Sequence, residues 1–174
     1  MQDILEKAAR IRLVIFDVDG VLTDGSLYLG DDGQEYKAFN SLDGHGMVML
    51  QHSGVEIGII TGRTSEVVRI RMQSLGISHL YQGQRDKRPA YAELKQKLGL
   101  VDSQIAYVGD DVVDLPVMTR VGLAIAVQDA HPFCRQHAHW ITPSRGGHGA
   151  ARDVCELIME GQGKLDEALQ AYLS

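Results

Sequence analysis

Short apolar runs alternate along this chain with segments whose apolar residues recur at helical spacing. The apolar runs predict strands over 12–17, 55–60, 78–82, 105–108, 123–127 and 138–141. The segments between them predict helices over 2–10, 43–52, 64–75, 88–98, 114–120, 131–137, 149–160 and 164–172. Because strands alternate with helices, the pattern predicts an α/β fold in which a parallel central sheet carries helices on both faces.

One segment departs from this alternation. Two short runs lie on either side of the turn sequence Asp-Asp-Gly at 31–33, and Asp-Gly in that position is a strong signal for a β-hairpin. The hairpin carries apolar residues, such as Leu29 and Tyr36, that little of the remaining sequence can cover. We therefore expect a small hairpin insertion over about 26–40 that mediates the assembly of several copies.

Three predicted strands end in polar turns that contain glycine. The first strand leads into Asp17-Val-Asp19-Gly, the second into Thr61-Gly-Arg63, and a later one into Gly-Asp110-Asp. Parallel strands present their carboxyl ends at one edge of the sheet, and ligands bind beyond that edge, so the three turns predict a single active site. The gaps between the turns are too short for a large cap domain.

The residues in these turns suit phosphoryl transfer. Asp17 is the natural nucleophile for a phosphate monoester, and Asp19 is the natural general acid and then the base that activates water. A divalent cation that bridges Asp17 and Asp110 would offset their charge, and a ligand set made of oxygens favours Mg²⁺. Thr61 offers a hydroxyl group, and Lys87 a fixed cation, to the oxygens of the phosphate group.

Simpler explanations exist for most of these residues. Thr61 suits a helix cap, Lys87 lies in a charged run typical of solvated surface, and Asp110 with Asp111 suits a helix N-terminus. Arg63, in the turn after the second strand, could instead bind an anionic group through two parallel hydrogen bonds. The order of the motifs and their placement at strand ends favour the active site over these explanations.

The composition restricts the class of protein. The 174 residues, of which 44% are apolar, suit one domain over 1–174 that ends in a helical tail over about 149–174. The net charge of −6 gives no support for a nucleic-acid or membrane partner. No stretch approaches the ~20 apolar residues of a membrane span. Cys134 and Cys155 lack a metal or redox spacing, and residues 1–10 lack signal-peptide features, so we expect a cytoplasmic protein.

The motifs Asp17-x-Asp19, Thr61, Lys87 and Gly-Asp110-Asp, in this order, resemble those of the haloacid dehalogenase (HAD) superfamily of phosphohydrolases. The resemblance implies a Rossmann-like three-layer sandwich in which Asp17 becomes phosphorylated and Asp19 serves as acid and base. It also implies that Mg²⁺ is held by Asp17, by the main-chain oxygen of Asp19, and by Asp110.

Longer stretches resemble one family in particular, the 3-deoxy-D-manno-octulosonate 8-phosphate phosphatases. They lie at 17–25, 39–40, 43–44, 60–63, 81–84, 107–111, 121–123, 129–132 and 146–152. The resemblance implies a magnesium-dependent homotetramer that hydrolyses this sugar-acid phosphate in lipopolysaccharide precursor synthesis. By position, it implies substrate contacts from Asp19, Asn40, Ser41, Leu42, Asp43, Gly44, Arg63, Arg71 and Lys87.

One departure from the family leaves the substrate open. Val48 stands where the family usually has a basic residue, so a contact to the sugar acid is missing or replaced. A phosphatase for another sugar acid, such as a nonulosonate 9-phosphate, is therefore an alternative. A catalytically silent oligomerisation module is a second alternative, but the complete set of motif residues argues against it.

Overall fold

The computed structural model describes residues 1–174, and a six-stranded parallel sheet forms its centre. The strands in chain order are β1 (Leu13–Phe16), β2 (Tyr28–Leu29), β3 (Glu35–Tyr36), β4 (Glu56–Ile60), β5 (His79–Tyr81), β6 (Ile105–Gly109), β7 (Leu123–Ala126) and β8 (Trp140–Ile141). In the sheet the order is β5-β4-β1-β6-β7-β8, and all neighbouring strands run parallel. The predicted α/β class is confirmed.

Eight helices accompany the sheet. They are α1 (Gln2–Ala9), α2 (Ser41–His52), α3 (Glu66–Ser74), α4 (Arg88–Leu98), α5 (Leu115–Met118), α6 (Pro132–Gln136), α7 (Ala150–Gly161) and α8 (Leu165–Gln170). Helix α7 packs against α1 and α2, whereas α4 contacts β4 and α5. None of these helices combines the length and the apolar character that crossing a membrane requires.

Strand β1 lies at the middle of the sheet, and all four of its residues are buried. Phe16 pairs in register with Ile59 of β4 and with Val108 of β6. The three strands therefore end at nearly the same level. The turns that follow them, which carry the predicted catalytic residues, lie side by side at one edge of the sheet.

Strands β2 and β3 form a separate antiparallel hairpin, in which Tyr28 pairs with Tyr36. The turn between them contains Gly33 at φ +80°, a backbone conformation that glycine adopts without steric cost. Leu29 is 66% exposed and Tyr36 is 59% exposed. The chain folded on its own therefore leaves the apolar face of the hairpin uncovered.

Two helix boundaries differ from the predicted ones for local reasons. Helix α2 begins at Ser41, because the side chain of Asn40 accepts hydrogen bonds from the amides of Leu42 and Asp43 and so caps the helix. Helix α5 begins at Leu115, because the three residues before it form a 3₁₀ turn and Pro116, which has no N–H to donate, suits a first helical turn; it ends at Met118, before the predicted end.

Candidate active site

The ends of β1, β4 and β6 open into one cavity of about 410 Å³. Its lining is almost entirely polar and includes Asp17, Asp19, Thr61, Gly62, Arg63, Gln84, Arg85, Lys87, Asp110 and Asp111. The structure thus brings together every residue that the sequence predicts to be catalytic or to bind a metal.

Asp17 follows β1 directly, and its side chain is held on both sides. Oδ1 accepts a hydrogen bond from the amide of Val18 at 2.7 Å, and Oδ2 lies 2.8 Å from Nζ of Lys87. Burial and the neighbouring carboxylate of Asp114 raise the pKa of Asp17 to about 6, although Lys87 opposes the shift. The carboxylate is therefore fixed in place, with its negative charge only partly compensated.

Lys87 is buried at 2% exposure, so the explanation of this residue as solvated surface is wrong. Its Nζ lies 2.8 Å from Asp17, 2.7 Å from Oδ1 of Asp114 and 3.0 Å from the hydroxyl oxygen of Tyr107. Burial lowers the pKa of Lys87, but the two carboxylates outweigh burial and raise it. Lys87 is therefore a cation held beside the predicted nucleophile.

Asp114 is fully buried and uses both of its oxygens within the protein. Oδ1 accepts from Lys87 and from the hydroxyl group of Tyr107, the latter at 2.6 Å. Oδ2 accepts from the amides of Asp110 and Asp111 at 3.0 and 3.2 Å. Asp114 therefore holds Lys87 and the turn after β6 in position.

Asp110 approaches the turn after β1 so closely that a β-carbon on Gly20 would collide with its carboxylate. Gly20 has φ +87°, so both the contact and the backbone require glycine there. Burial, followed by repulsion from Asp114 and Asp17, raises the pKa of Asp110 to about 8. Glycine at position 20 therefore lets the Asp110 carboxylate lie against the turn after β1, near the carboxylate of Asp17.

The carboxylates fit a divalent cation. One oxygen from each of Asp17, Asp110 and Asp114 lies within 4.8 Å of the others. Each oxygen of Asp114 already accepts two hydrogen bonds, whereas each oxygen of Asp17 has one partner and the Asp110 carboxylate accepts none, so Asp17 and Asp110 are the ones with capacity for a ligand. An all-oxygen set with surplus negative charge matches the preference of a hard ion such as Mg²⁺.

Asp19 is held by the hairpin, through a residue that the sequence analysis missed. Nζ of Lys37 lies 2.5 Å from Oδ1 of Asp19 and 2.8 Å from Oε1 of Glu35. The hydrogen bond from Lys37 is the main cause of the lowered pKa of Glu35. Glu35 and Lys37 flank the exposed Tyr36. Because side chains alternate along a strand, this spacing was a sequence signal that Glu35 and Lys37 lie on the face opposite Tyr36.

Thr61 and Arg63 occupy the turn after β4. Thr61 is buried, its amide donates to the carbonyl of Tyr81, and its carbonyl accepts from the amide of Gln84. The side chain of Arg63 is 46% exposed, and its Nη2 lies 3.4 Å from Glu35. Arg85 also lines the cavity, although no motif identified it. The cavity mouth therefore carries two arginines.

The predicted substrate segment 40–44 lies outside this cavity within the chain. Asn40 caps α2, as described above, and Asp43 is buried against the start of α7. Asp43 accepts hydrogen bonds from the amide of Arg152 at 2.9 Å and from that of Gly149 at 3.4 Å. Burial raises the pKa of Asp43, although these amides oppose the shift.

The other predicted substrate residues surround this segment. Ser41 and Leu42 are exposed on the first turn of α2. Arg71 lies against Gly44, and its Nη2 is 3.5 Å from the carbonyl oxygen of Asn40. A contact between these residues and substrate stays a prediction.

Comparison with known proteins gives a consistent result. The profile of the haloacid dehalogenase-like hydrolases matches residues 64–153. The 3-deoxy-D-manno-octulosonate 8-phosphate phosphatase KdsC of Escherichia coli K12 is 51% identical over 166 residues, which cover 95% of this chain and 88% of that protein. The similarity thus extends beyond the profile match to the turns after β1 and β4.

Two solved structures have the same fold. The 3-deoxy-D-manno-octulosonate 8-phosphate phosphatase of Yersinia pestis superposes with a TM-score of 0.93 at 51% identity, covering 94% of this chain and 89% of that one. The enzyme of the same name from Moraxella catarrhalis was solved with a magnesium ion, a phosphate ion and KDO. It superposes with a TM-score of 0.97 at 42% identity, covering 99% of both chains.

Proposed function

Since the chain belongs to the haloacid dehalogenase-like hydrolases and, among them, to the family of the 3-deoxy-D-manno-octulosonate 8-phosphate phosphatases, we propose that it hydrolyses this ester to the free sugar acid and phosphate. The chain is an enzyme, a phosphoric monoester hydrolase. The observation that carries the proposal is the buried Asp17, which is paired with the Lys87 ammonium and lies close to the Asp110 carboxylate at the sheet edge.

The arrangement of these residues supports the following catalytic roles. The Asp17 carboxylate attacks the phosphorus atom, the bond from phosphorus to the sugar oxygen breaks, and Asp19 gives its proton to that oxygen. Asp19 then takes a proton from the water that attacks the phosphoaspartate, which releases phosphate and restores Asp17. Lys87 holds the nucleophile in place with a compensating charge, and Thr61 contacts a phosphate oxygen.

Asp17, Asp110 and the main-chain oxygen of Asp19 would hold Mg²⁺. When bound, the ion neutralises charge on the transferring phosphoryl group. The Moraxella catarrhalis enzyme, which was solved with magnesium, supports this assignment, as does the pKa of Asp110, which burial and then repulsion from Asp114 and Asp17 raise.

Two arginines and the first residues of α2 are proposed to recognise the substrate. Arg63, at the cavity mouth, supplies a two-pronged contact to an anionic group of the sugar acid. Arg71 and the segment 40–44 are proposed as further contacts on the basis of family resemblance. Because they lie outside the cavity within one chain, such contacts call for a rearrangement or for a second subunit.

We also propose that the chain works as a single catalytic domain whose hairpin assembles a homotetramer. The exposed apolar residues of the hairpin, including Leu29 and Tyr36, support this assembly. The double variant Leu27→Glu, Leu29→Glu should sediment as a smaller species than the wild type. An unchanged sedimentation coefficient would refute the role of the hairpin.

We place the enzyme in the cytoplasm, in the synthesis of lipopolysaccharide precursors.

A substrate panel tests the proposed activity. Phosphate release is measured with Mg²⁺ from 3-deoxy-D-manno-octulosonate 8-phosphate, from a nonulosonate 9-phosphate and from an aryl phosphate. We expect the highest kcat/KM for the first ester. A higher kcat/KM for the nonulosonate ester would show that the physiological substrate is that ester instead. The panel includes it because Val48 stands where the family usually has a basic residue. No magnesium-dependent release from any ester would instead indicate a silent assembly module.

A further inference from the structure

Lys37 is an unusual residue for its position in the chain. It directly follows β3 in a hairpin whose neighbouring side chains are exposed, yet its own side chain is only 1% exposed. An ammonium group is costly to bury unless charged partners compensate for the lost water. Asp19 and Glu35 are those partners, at 2.5 and 2.8 Å. The hairpin thus places a buried cation directly against an active-site carboxylate.

The carboxylate of Asp19 has no other polar partner within the chain. No amide and no other side chain donates to it, whereas Asp17 is held by both the Val18 amide and Lys87. The orientation of Asp19 therefore depends on one ion pair. That ion pair engages Oδ1, which leaves Oδ2 to carry the transferred proton.

Resting on the function proposed above, we infer that Lys37 is a positioning residue for catalysis, whose ammonium group orients the Asp19 carboxyl towards the leaving oxygen of the substrate. Glu35 holds the other side of the same ammonium group and also faces Arg63 at the cavity mouth. The hairpin therefore has a role within its own active site, in addition to any role in assembly.

The leaving group of the substrate offers a direct test. A sugar alcohol leaves slowly unless it is protonated, whereas nitrophenolate leaves readily without a proton. Since kcat/KM includes only the steps up to release of the leaving group, a misplaced Asp19 lowers kcat/KM selectively for the sugar ester. In the full-length Lys37→Met variant with Mg²⁺, we expect about a 10²-fold loss with the sugar ester and less than about a 5-fold loss with p-nitrophenyl phosphate.

Matched variants separate positioning from folding. Lys97→Met removes an exposed lysine from α4 and should leave both kcat/KM values unchanged. Lys37→Arg keeps the cation and should restore most of the activity with the sugar ester. Should Lys37→Met fail to fold, as judged by its thermal melting curve, Lys37→Gln keeps a polar group and is measured in its place with the same expectation.

Two results would overturn the inference while the wild type remains active. One is an unchanged kcat/KM with the sugar ester, and the other is an equal loss with both esters, which would indicate a structural or metal-binding role. A wild-type chain that cleaves neither ester would instead overturn the proposed function, and the inference with it.

Discussion

The carboxylates of Asp17, Asp114 and Asp43 are buried and that of Asp110 is half-buried, yet the strand-end carboxylates and Asp43 differ in what faces them. Asp43 accepts from two amides at the start of α7, and the one carboxylate that raises its pKa, that of Asp153, has less influence than burial and those two amides. At the strand ends, Asp17, Asp110 and Asp114 face one another, and Lys87 is the one cation among them. The catalytic site therefore differs from the structural site at Asp43 in one respect: its several carboxylates lie together with only one cation to compensate their charge.

Replacement of the nucleophile should have the largest effect. Asp17→Asn replaces the anionic carboxylate that attacks phosphorus with a neutral, weakly nucleophilic amide, so magnesium-dependent phosphate release should fall by at least about 10⁴-fold. The fold should persist, because the change also removes a buried charge from beside Asp114. Asp31→Asn, an exposed change in the hairpin turn, is the matched control. Substantial residual activity in Asp17→Asn would reject this residue as the nucleophile.

Asp114→Asn should have the second largest effect. The amide group cannot accept from both Lys87 and the two main-chain amides, so the lysine loses its fixed position beside Asp17. We expect kcat to fall by about 10²-fold in a chain that still folds. Steady-state kinetics together with circular dichroism would check this. Full activity would mean that the placement of Lys87 does not depend on Asp114.

Asp43→Ala tests the other side of the comparison. It leaves the amides of Gly149 and Arg152 without their acceptor, so the free energy of unfolding should fall by about 1–3 kcal/mol. Urea denaturation measures this change, and an unaltered midpoint would refute the structural role. KM, measured on the same sample, would rise only if the 40–44 segment also contacts substrate.

The smallest effect is a pH-dependent stabilisation by metal. Without metal, the raised pKa values of Asp17 and Asp110 mean that the folded chain binds more protons than the unfolded chain between about pH 4 and pH 8, so stability falls as pH rises through this window. Mg²⁺ should therefore raise the melting temperature more at pH 8 than at pH 6, by a few degrees. Asp110→Asn should remove the difference. Equal shifts at both pH values in the wild type would contradict a site formed by these carboxylates.

The strand-end motifs were predictable because a parallel sheet imposes their convergence. Once 12–17, 55–60 and 105–108 are identified as strands, Asp17, Thr61 and Asp110 must lie at one edge, and the strand order of the structure makes them neighbours there. Lys87 was harder to place, because its charged neighbours are typical of surface, and its burial depends on the carboxylates that it meets. Lys37 was missed because its partner Asp19 lies far along the chain.

The sequence by itself determined the alternation of strands and helices, the hairpin and the motif residues at the strand ends, because these depend on local periodicity and on short turn signals. Only the tertiary structure decided which charges become partners. It buried Lys37 and Lys87 against carboxylates, and it placed Asp43 at a helix end rather than in the cavity. The physical reason is that the energy of a buried charge depends on distances to groups remote in sequence, and these distances exist only once the sheet, the hairpin and the helices have packed together.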